Sequence, residues 1–257
     1  TSSSKQPTKA TRQSFGPPTS TNKKQFANFR TRRFTPVSMK DLTYANQKIV
    51  KDTIQERITK QEPAVTAQNL IITTPKTACI YFKPKIHKPN NPGRPLVSAC
   101  SCPTELISSY LDKGMTPIVK SLPSYIKDSN HPPALEVFRN FNFLGENKII
   151  FTLDITSLYT VIPNSEGLQA LKCFFNQRPI KKPSSKTLLR LAELVLTLNC
   201  FSFGDSYYKQ INGVAMGTKM EPSYANLFVG FIENNFFSNY HGPKPDLYKR
   251  YIDDCVG

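Results

Sequence analysis

Tyr248-Lys249-Arg250-Tyr251-Ile252-Asp253 reads as a strand that closes on the adjacent carboxylates Asp253-Asp254, and the earlier β-rich run Lys148-Ile149-Ile150-Phe151-Thr152-Leu153-Asp154 ends in one. Adjacent like charges repel, so such a pair is stable chiefly where a cation sits beside it. Alone, Tyr-x-Asp-Asp is equally a solvated turn, and a lone strand-end Asp is more often a cap. If the two runs lie side by side, three carboxylates converge, and such a set holds two metals about 4 Å apart for in-line displacement at phosphorus. Magnesium suits it, because it takes carboxylate and phosphate oxygens in octahedral geometry.

Working outward, residues 164–177, 184–199 and 222–239 read as helices, and 200–203 with 207–211 as a hairpin turning at Gly204-Asp205,. Upstream, a helix starts at Asp41 and ends before Pro63, with Leu42, Ala45, Ile49, Ile54 and Ile58 near one face,. Residues 69–73 and 78–82 read as short strands, the second opening a hairpin whose basic tip turns at Asn90-Asn91-Pro92-Gly93,. Helices over 103–120 and 132–141 follow,. Strands mixed with helices, without regular alternation, predict an α+β class: a mainly antiparallel sheet with helices on one face.

An apolar fraction of 39% in 257 residues is enough for a buried core, and the net charge of +16 points to a polyanionic partner,. Residues 1–45 carry nine basic side chains against Asp41 alone, within a Ser/Thr/Pro-rich stretch unable to bury much surface,. The expected organisation is a disordered basic segment at 1–40, a helical lead-in at 41–68 and the main domain at 69–257. No apolar run approaches the roughly 20 residues of a membrane span, and no signal core precedes the domain,. The expected setting is therefore intracellular, nuclear or cytoplasmic, neither secreted nor membrane-bound. The six cysteines lack paired spacing, which predicts free buried thiols,.

Five segments in order carry a family resemblance. They are Lys83-Pro84-Lys85-Ile86-His87-Lys88-Pro89 with Gly93-Arg94-Pro95-Leu96-Val97-Ser98; Asp154 through Pro163; Asn212-Gly213-Val214-Ala215-Met216-Gly217-Thr218; Pro222-Ser223-Tyr224-Ala225-Asn226; and Tyr251-Ile252-Asp253-Asp254. Across residues 70–257 the chain resembles a reverse transcriptase, most closely that of Penelope-like retroelements. The resemblance implies the fingers and palm of a right-hand polymerase, a mainly antiparallel palm sheet packed on helices, and RNA-directed DNA synthesis. It implies that Asp154, Asp253 and Asp254 are catalytic and hold two Mg2+ ions, with Mn2+ able to replace them. It places Lys85 and Arg94 on the triphosphate of the incoming dNTP, and Tyr159 under its deoxyribose, excluding a 2′-hydroxyl. It sets Asn212 and Gly213 against the nascent base pair, while Tyr251, Met216 and Gly217 shape the motifs. The implied partners are an RNA or DNA template with its primer and dNTPs, without a membrane or any organic cofactor.

Three departures from the family pattern are visible. The sequence stops three residues beyond Asp254, so the return strand of the catalytic hairpin, the primer grip and the thumb are expected to be missing, as is the family's endonuclease. Glu221 stands where glycine is expected, a carboxylate that would repel phosphate. Lys83 takes an expected apolar position, tolerable if it snorkels to water. They leave a second reading open, a truncated, non-catalytic nucleic-acid-binding remnant of such an element.

Overall fold

The computed structural model describes residues 23, 26, 34–36, 40–59, 68–86, 89, 91–127, 136, 138–141 and 149–257. In chain order the described strands are β1 (Phe34–Pro36), β2 (Ala78–Pro84), β3 (Gly93–Ser98), β4 (Thr152–Asp154), β5 (Cys200–Phe203), β6 (Ser206–Gln210), β7 (Lys249–Tyr251) and β8 (Asp254–Val256). The helices are α1 (Thr43–Thr59), α2 (Glu105–Lys120), α3 (Leu158–Val161), α4 (Asn164–Gln177), α5 (Ser185–Thr197) and α6 (Glu221–Asn239). The α+β class is as expected, but the strands divide into two sheets instead of one. The larger runs β1-β6-β5-β2-β3, antiparallel except where β2 meets β5, and the smaller runs β4-β8-β7, antiparallel throughout.

Alternation sets the faces of the larger sheet. Along β2 the residues Ala78, Ile80 and Phe82 are buried while those between point outward, and Val97 joins them from β3,. Phe26 stacks on Phe203 with ring centroids 4.2 Å apart, and it is 4% exposed. Together with the pairing of β1 to β6, this corrects the reading of 1–40 as wholly disordered. A buried aromatic and a paired strand edge supply what the composition lacked.

Helices build the other core. Ile107, Leu111, Met115 and Val119 recur every four residues along α2 and are fully covered,. In α5, the Ser184 hydroxyl accepts the Thr187 amide and caps the first turn, while Leu188, Leu191, Ala192 and Val195 face inward,. α6 begins with Pro222 in its first turn, and Ser223 to Gly230 are buried without interruption, so the first half of this helix is surrounded on all sides, while Ile232 and Phe236 in its second half are exposed,. Within this core Ser223 donates to Asp112 at 2.6 Å, and Ser108 accepts the Met220 amide at 2.9 Å.

Other expectations need correcting. Residues 69–73 form a turn, not a strand: the Ile71 amide bonds to the Gln68 carbonyl, Gln47 of α1 donates to the Ile72 carbonyl, and Leu70 is buried. Side-chain and turn hydrogen bonds there replace a ladder. The strand before Asp154 is three residues long, with Ile149 and Ile150 exposed ahead of it. The return strand expected to be missing is present, because the three residues of β8 occupy the centre of the small sheet. The helix expected at 132–141 lies largely outside the described residues. All six cysteines are free, as expected, but only Cys102 and Cys255 are buried; Cys79, Cys173 and Cys200 are partly exposed and Cys100 is exposed. No described helix is long and apolar enough to cross a membrane.

A Cβ on Gly167 would lie 1.7 Å from the hydroxyl of Tyr224, which is itself fully buried. Gly167→Ala is expected to lower unfolding free energy by about 1–3 kcal/mol in urea melts; an unchanged midpoint would mean α4 and α6 do not pack this closely.

Candidate active site

The pairing of β4 with β8 decides the site. Their register sets Asp154 opposite Asp254, residues a hundred positions apart in sequence, and β7 continues the row with Tyr251 opposite Asp254. Side chains alternate across a sheet, so Leu153, Cys255 and Arg250 form the neighbouring row on the other face. There Cys255 and Arg250 are buried at the helices. Asp154 and Asp254 thus stand on the exposed face, away from the core.

Asp253 sits in the two-residue turn between β7 and β8. Its carbonyl accepts the Ile155 amide at 2.9 Å, fastening the turn to the chain just after Asp154. Burial raises the pKa of its carboxyl above the usual range, Asp254 and Asp154 push the same way, and Arg94 partly offsets them. The turn needs an unusual backbone: Ile252 has φ +56°, in the left-handed region, which costs a β-branched residue about 1–2 kcal/mol,.

Arg250, which the sequence reading passed over, is 0% exposed and uses all its donors. Nε reaches Glu233 Oε1 at 2.7 Å and Nη2 reaches Glu233 Oε2 at 3.3 Å. Nη1 donates to Asn226 Oδ1 at 2.7 Å and to the Ile252 carbonyl at 3.0 Å, while Nη2 also reaches the Asn226 carbonyl at 3.2 Å. Glu233 further accepts from Ser124 and Tyr248. The last residue of the Pro-Ser-Tyr-Ala-Asn segment is therefore a partner of the arginine that precedes Tyr251. No sequence signal marks it, because Arg250 is the one buried residue of β7 and its burial is visible only in the fold.

Above the carboxylates lies an open cleft of about 780 Å3, lined by Asp154, Asp253, Asp254, Tyr251, Tyr159, Lys85, Arg94, Met216 and Glu221 among others. Lys85 follows β2, its amide held by the Pro92 carbonyl at 3.0 Å, and Arg94 lies on β3. Lys83, opposite Arg94 in the hairpin, is exposed on the side facing away from Phe82, so it takes no apolar position. Tyr159 is half-buried and carried by α3, whose cap Ser157 has φ +58°. Burial pushes its phenol up, keeping it neutral at physiological pH.

Asn212 and Gly213 do not line this cleft. They lie behind Tyr159: the Gly213 amide bonds to the Ile162 carbonyl at 2.8 Å and the Val214 amide to the Tyr159 carbonyl at 2.9 Å. With φ +71° and its Cβ direction 2.1 Å from the Tyr159 carbonyl oxygen, Gly213 permits a contact no other residue would,. Met216 and Gly217 hold β3 in place, the Met216 carbonyl accepting the Val97 amide at 2.7 Å.

Glu221 accepts the Gly217 amide at 2.6 Å. Burial raises its pKa to about 7, against the lowering effect of that bond and of Arg94. Instead of standing free to repel phosphate, this carboxylate closes the Met216-Gly217 turn from the first turn of α6.

The donor set for a metal is an all-oxygen row with an electrostatically strained Asp253, the chemistry a hard divalent cation relieves. Among the described residues, however, no three His, Cys, Asp or Glu side chains form a group that could hold a metal ion by themselves. A cation here would complete its shell with water or phosphate oxygens, as magnesium does at phosphate-handling sites.

No protein-family model matches the chain, and no curated protein does either. Solved structures do. A C-terminally truncated apo telomerase from Candida tropicalis has a TM-score of 0.58 at 11% identity, over 91% of this chain and 47% of its own. A Candida albicans telomerase bound to a fragment of telomeric RNA has a TM-score of 0.51 at 12% identity, over 87% of this chain and 44% of its own. The Sicinivirus 3Dpol RNA-dependent RNA polymerase has a TM-score of 0.52 at 12% identity, over 80% and 42%. The chain thus spans less than half the length of these neighbours. The large sheet, the small sheet and their helices form a reverse-transcriptase-like polymerase fold, with fingers and palm.

The ordinary carboxyl pKa of Glu221 lies below its folded value of about 7. Ionisation therefore opposes folding, increasingly as pH rises from about 4.5 to 7. Glu221→Gln is expected to be more stable than the parent at pH 8, with the gain fading towards pH 4.5. Urea melts across that range check it; a gain that grows on acidification contradicts the buried carboxylate.

Proposed function

We propose that this chain is the fingers and palm of an RNA-directed DNA polymerase from a Penelope-like retrotransposon, adding dNTPs to a primer 3′ end. The observation that carries this is the register of β4 on β8, which sets Asp154 beside Asp254 beneath a cleft bearing Lys85 and Arg94. Asp154, Asp253 and Asp254 are the residues that would hold Mg2+, or Mn2+. Bound there, the metal would lower the pKa of the primer hydroxyl and neutralise charge on the departing pyrophosphate.

The protein's own groups do the rest. Lys85 and Arg94 grip the triphosphate, Arg94 through two oxygens at once. Tyr159, whose backbone is held from behind by the Gly213 loop, lies under the sugar, and a ribose 2′-hydroxyl would collide with its ring,. Glu221 fixes the loop that carries Met216 along one wall of the cleft. Template and primer follow the basic surface implied by a net charge of +16,.

A second reading, a nucleic-acid-binding remnant without catalysis, is favoured by the same charge and by the finding that no three His, Cys, Asp or Glu side chains among the described residues form a group that could hold a metal ion by themselves. The two separate in single-turnover incorporation on an RNA-templated hairpin primer, with protein in excess so that weak grip does not mask chemistry. The polymerase reading expects Mg2+-dependent extension that falls by about 10²–10³-fold or more in Asp253→Asn. It also expects Tyr159→Ala to raise ribonucleotide use relative to deoxynucleotide by about 10–10²-fold. Binding that weakens with salt, without product in any variant, favours the remnant.

A further inference from the structure

The turn that carries Asp253 is not self-supporting. Ile252 adopts φ +56°, a conformation that L side chains avoid and β-branched ones most of all,. A glycine would take it freely, as Gly204 does in the turn between β5 and β6 at φ +59°,. The tip makes one backbone bond outward from Asp253, to the Ile155 amide. The Ile252 carbonyl is held instead from inside the protein, by Arg250 Nη1 at 3.0 Å.

Arg250 is fixed by the core on every other side. Its fork meets both oxygens of Glu233 on α6, and it reaches both the side-chain and the backbone oxygen of Asn226 about two turns earlier,. Glu233 is held in turn by the Ser124 hydroxyl at 2.6 Å and the Tyr248 hydroxyl at 3.0 Å. The arginine's backbone is stitched as well: its amide donates to the Ser124 carbonyl, and its carbonyl accepts the Ile126 amide. Such a planar, fully satisfied fork cannot swing to another partner without leaving a buried charge unpaired.

We infer that Arg250 is a positioning residue that clamps Ile252 in its left-handed conformation from the buried Glu233–Asn226 site, and so aims Asp253 and Asp254 at Asp154. α6 thereby becomes a rigid reference for the carboxylates: the helix carrying Asn226 and Glu233 sets where the turn sits, through one guanidinium. The inference rests on the polymerase reading for its effect on catalysis, but not for its effect on the turn.

The test measures both. Arg250→Lys keeps a cation for Glu233 but cannot reach Asn226 and the Ile252 carbonyl together. Exchange of the Ile155 amide, which bonds to Asp253, is expected to quicken at least about tenfold beyond any change in global stability. In single-turnover incorporation the maximal rate constant should fall about 10–10²-fold with little change in the dNTP concentration giving half that rate, because binding through Lys85 and Arg94 is untouched. Adding Ile252→Gly should restore a large share of both, because glycine needs no clamp. That rescue would not follow from a purely structural role, since glycine repairs nothing in the core. Should Arg250→Lys fail to fold, Glu233→Gln, which weakens the fork's anchor, is read the same way. Unchanged Ile155 exchange in a folded variant, or no rescue by glycine, overturns the clamp. If Ile155 responds and is rescued while no variant incorporates nucleotide, the clamp stands and the polymerase reading falls.

Discussion

Like charges face each other across β4 and β8. Opposing carboxylates at paired positions destabilise an antiparallel ladder, and Asp253 sits next to them with its pKa raised by burial and by both neighbours. The fold maintains this juxtaposition with a hairpin tip in an unfavourable conformation and a fully buried arginine beneath it. Such concentrated anionic strain makes sense where a cation is to be received, and the organisation of the rest of the chain follows from holding it. The small sheet lays the carboxylate row on an open face, the helical core anchors the other face, and the larger sheet brings Lys85 and Arg94 over the top.

The two sheets are joined through glycine-bearing loops more than through shared ladders. Gly213 approaches the carbonyl of Tyr159 closely enough to exclude any side chain, and Gly217 lies against β3 with Glu221 bonded to its amide. These loops set the distance between fingers and palm, and hence the width of the cleft. Glu221, an apparent departure from the family pattern, belongs to this joint: its carboxylate is partly withdrawn from water and occupied by a backbone donor. The interior arginine plays the corresponding part below, tying the strand of Tyr251 to the helix that bears the Pro-Ser-Tyr-Ala-Asn segment.

Much of this was legible in the sequence because strands and helices were locally consistent. The β2–β3 and β5–β6 hairpins follow their alternation and turn residues, α4 and α5 follow their apolar spacing, and α2 and α6 start within two residues of the positions their prolines marked,. The carboxylates were visible as strand ends, although their meeting depends on a pairing no local pattern encodes. What was not legible depended on tertiary partners. Residues 69–73 have a strand's composition but bond to Gln47 and to their own turn, and Asn212 and Gly213 support Tyr159 from behind the cleft. A three-residue return strand was too short to read as one. Arg250 looked like one more cation in a basic chain, since burial alone distinguishes it.

The central claim is that Asp154, Asp253 and Asp254 receive divalent cations together with a nucleoside triphosphate. It is tested most directly by anomalous diffraction from crystals of the protein grown with Mn2+ and a non-hydrolysable dNTP. The expected result is manganese density between the carboxylates of Asp154 and the Asp253-Asp254 pair, bridged to phosphate oxygens beside Lys85 and Arg94. A nucleotide bound elsewhere, or a cleft that binds triphosphate with no manganese at the three aspartates, would contradict it.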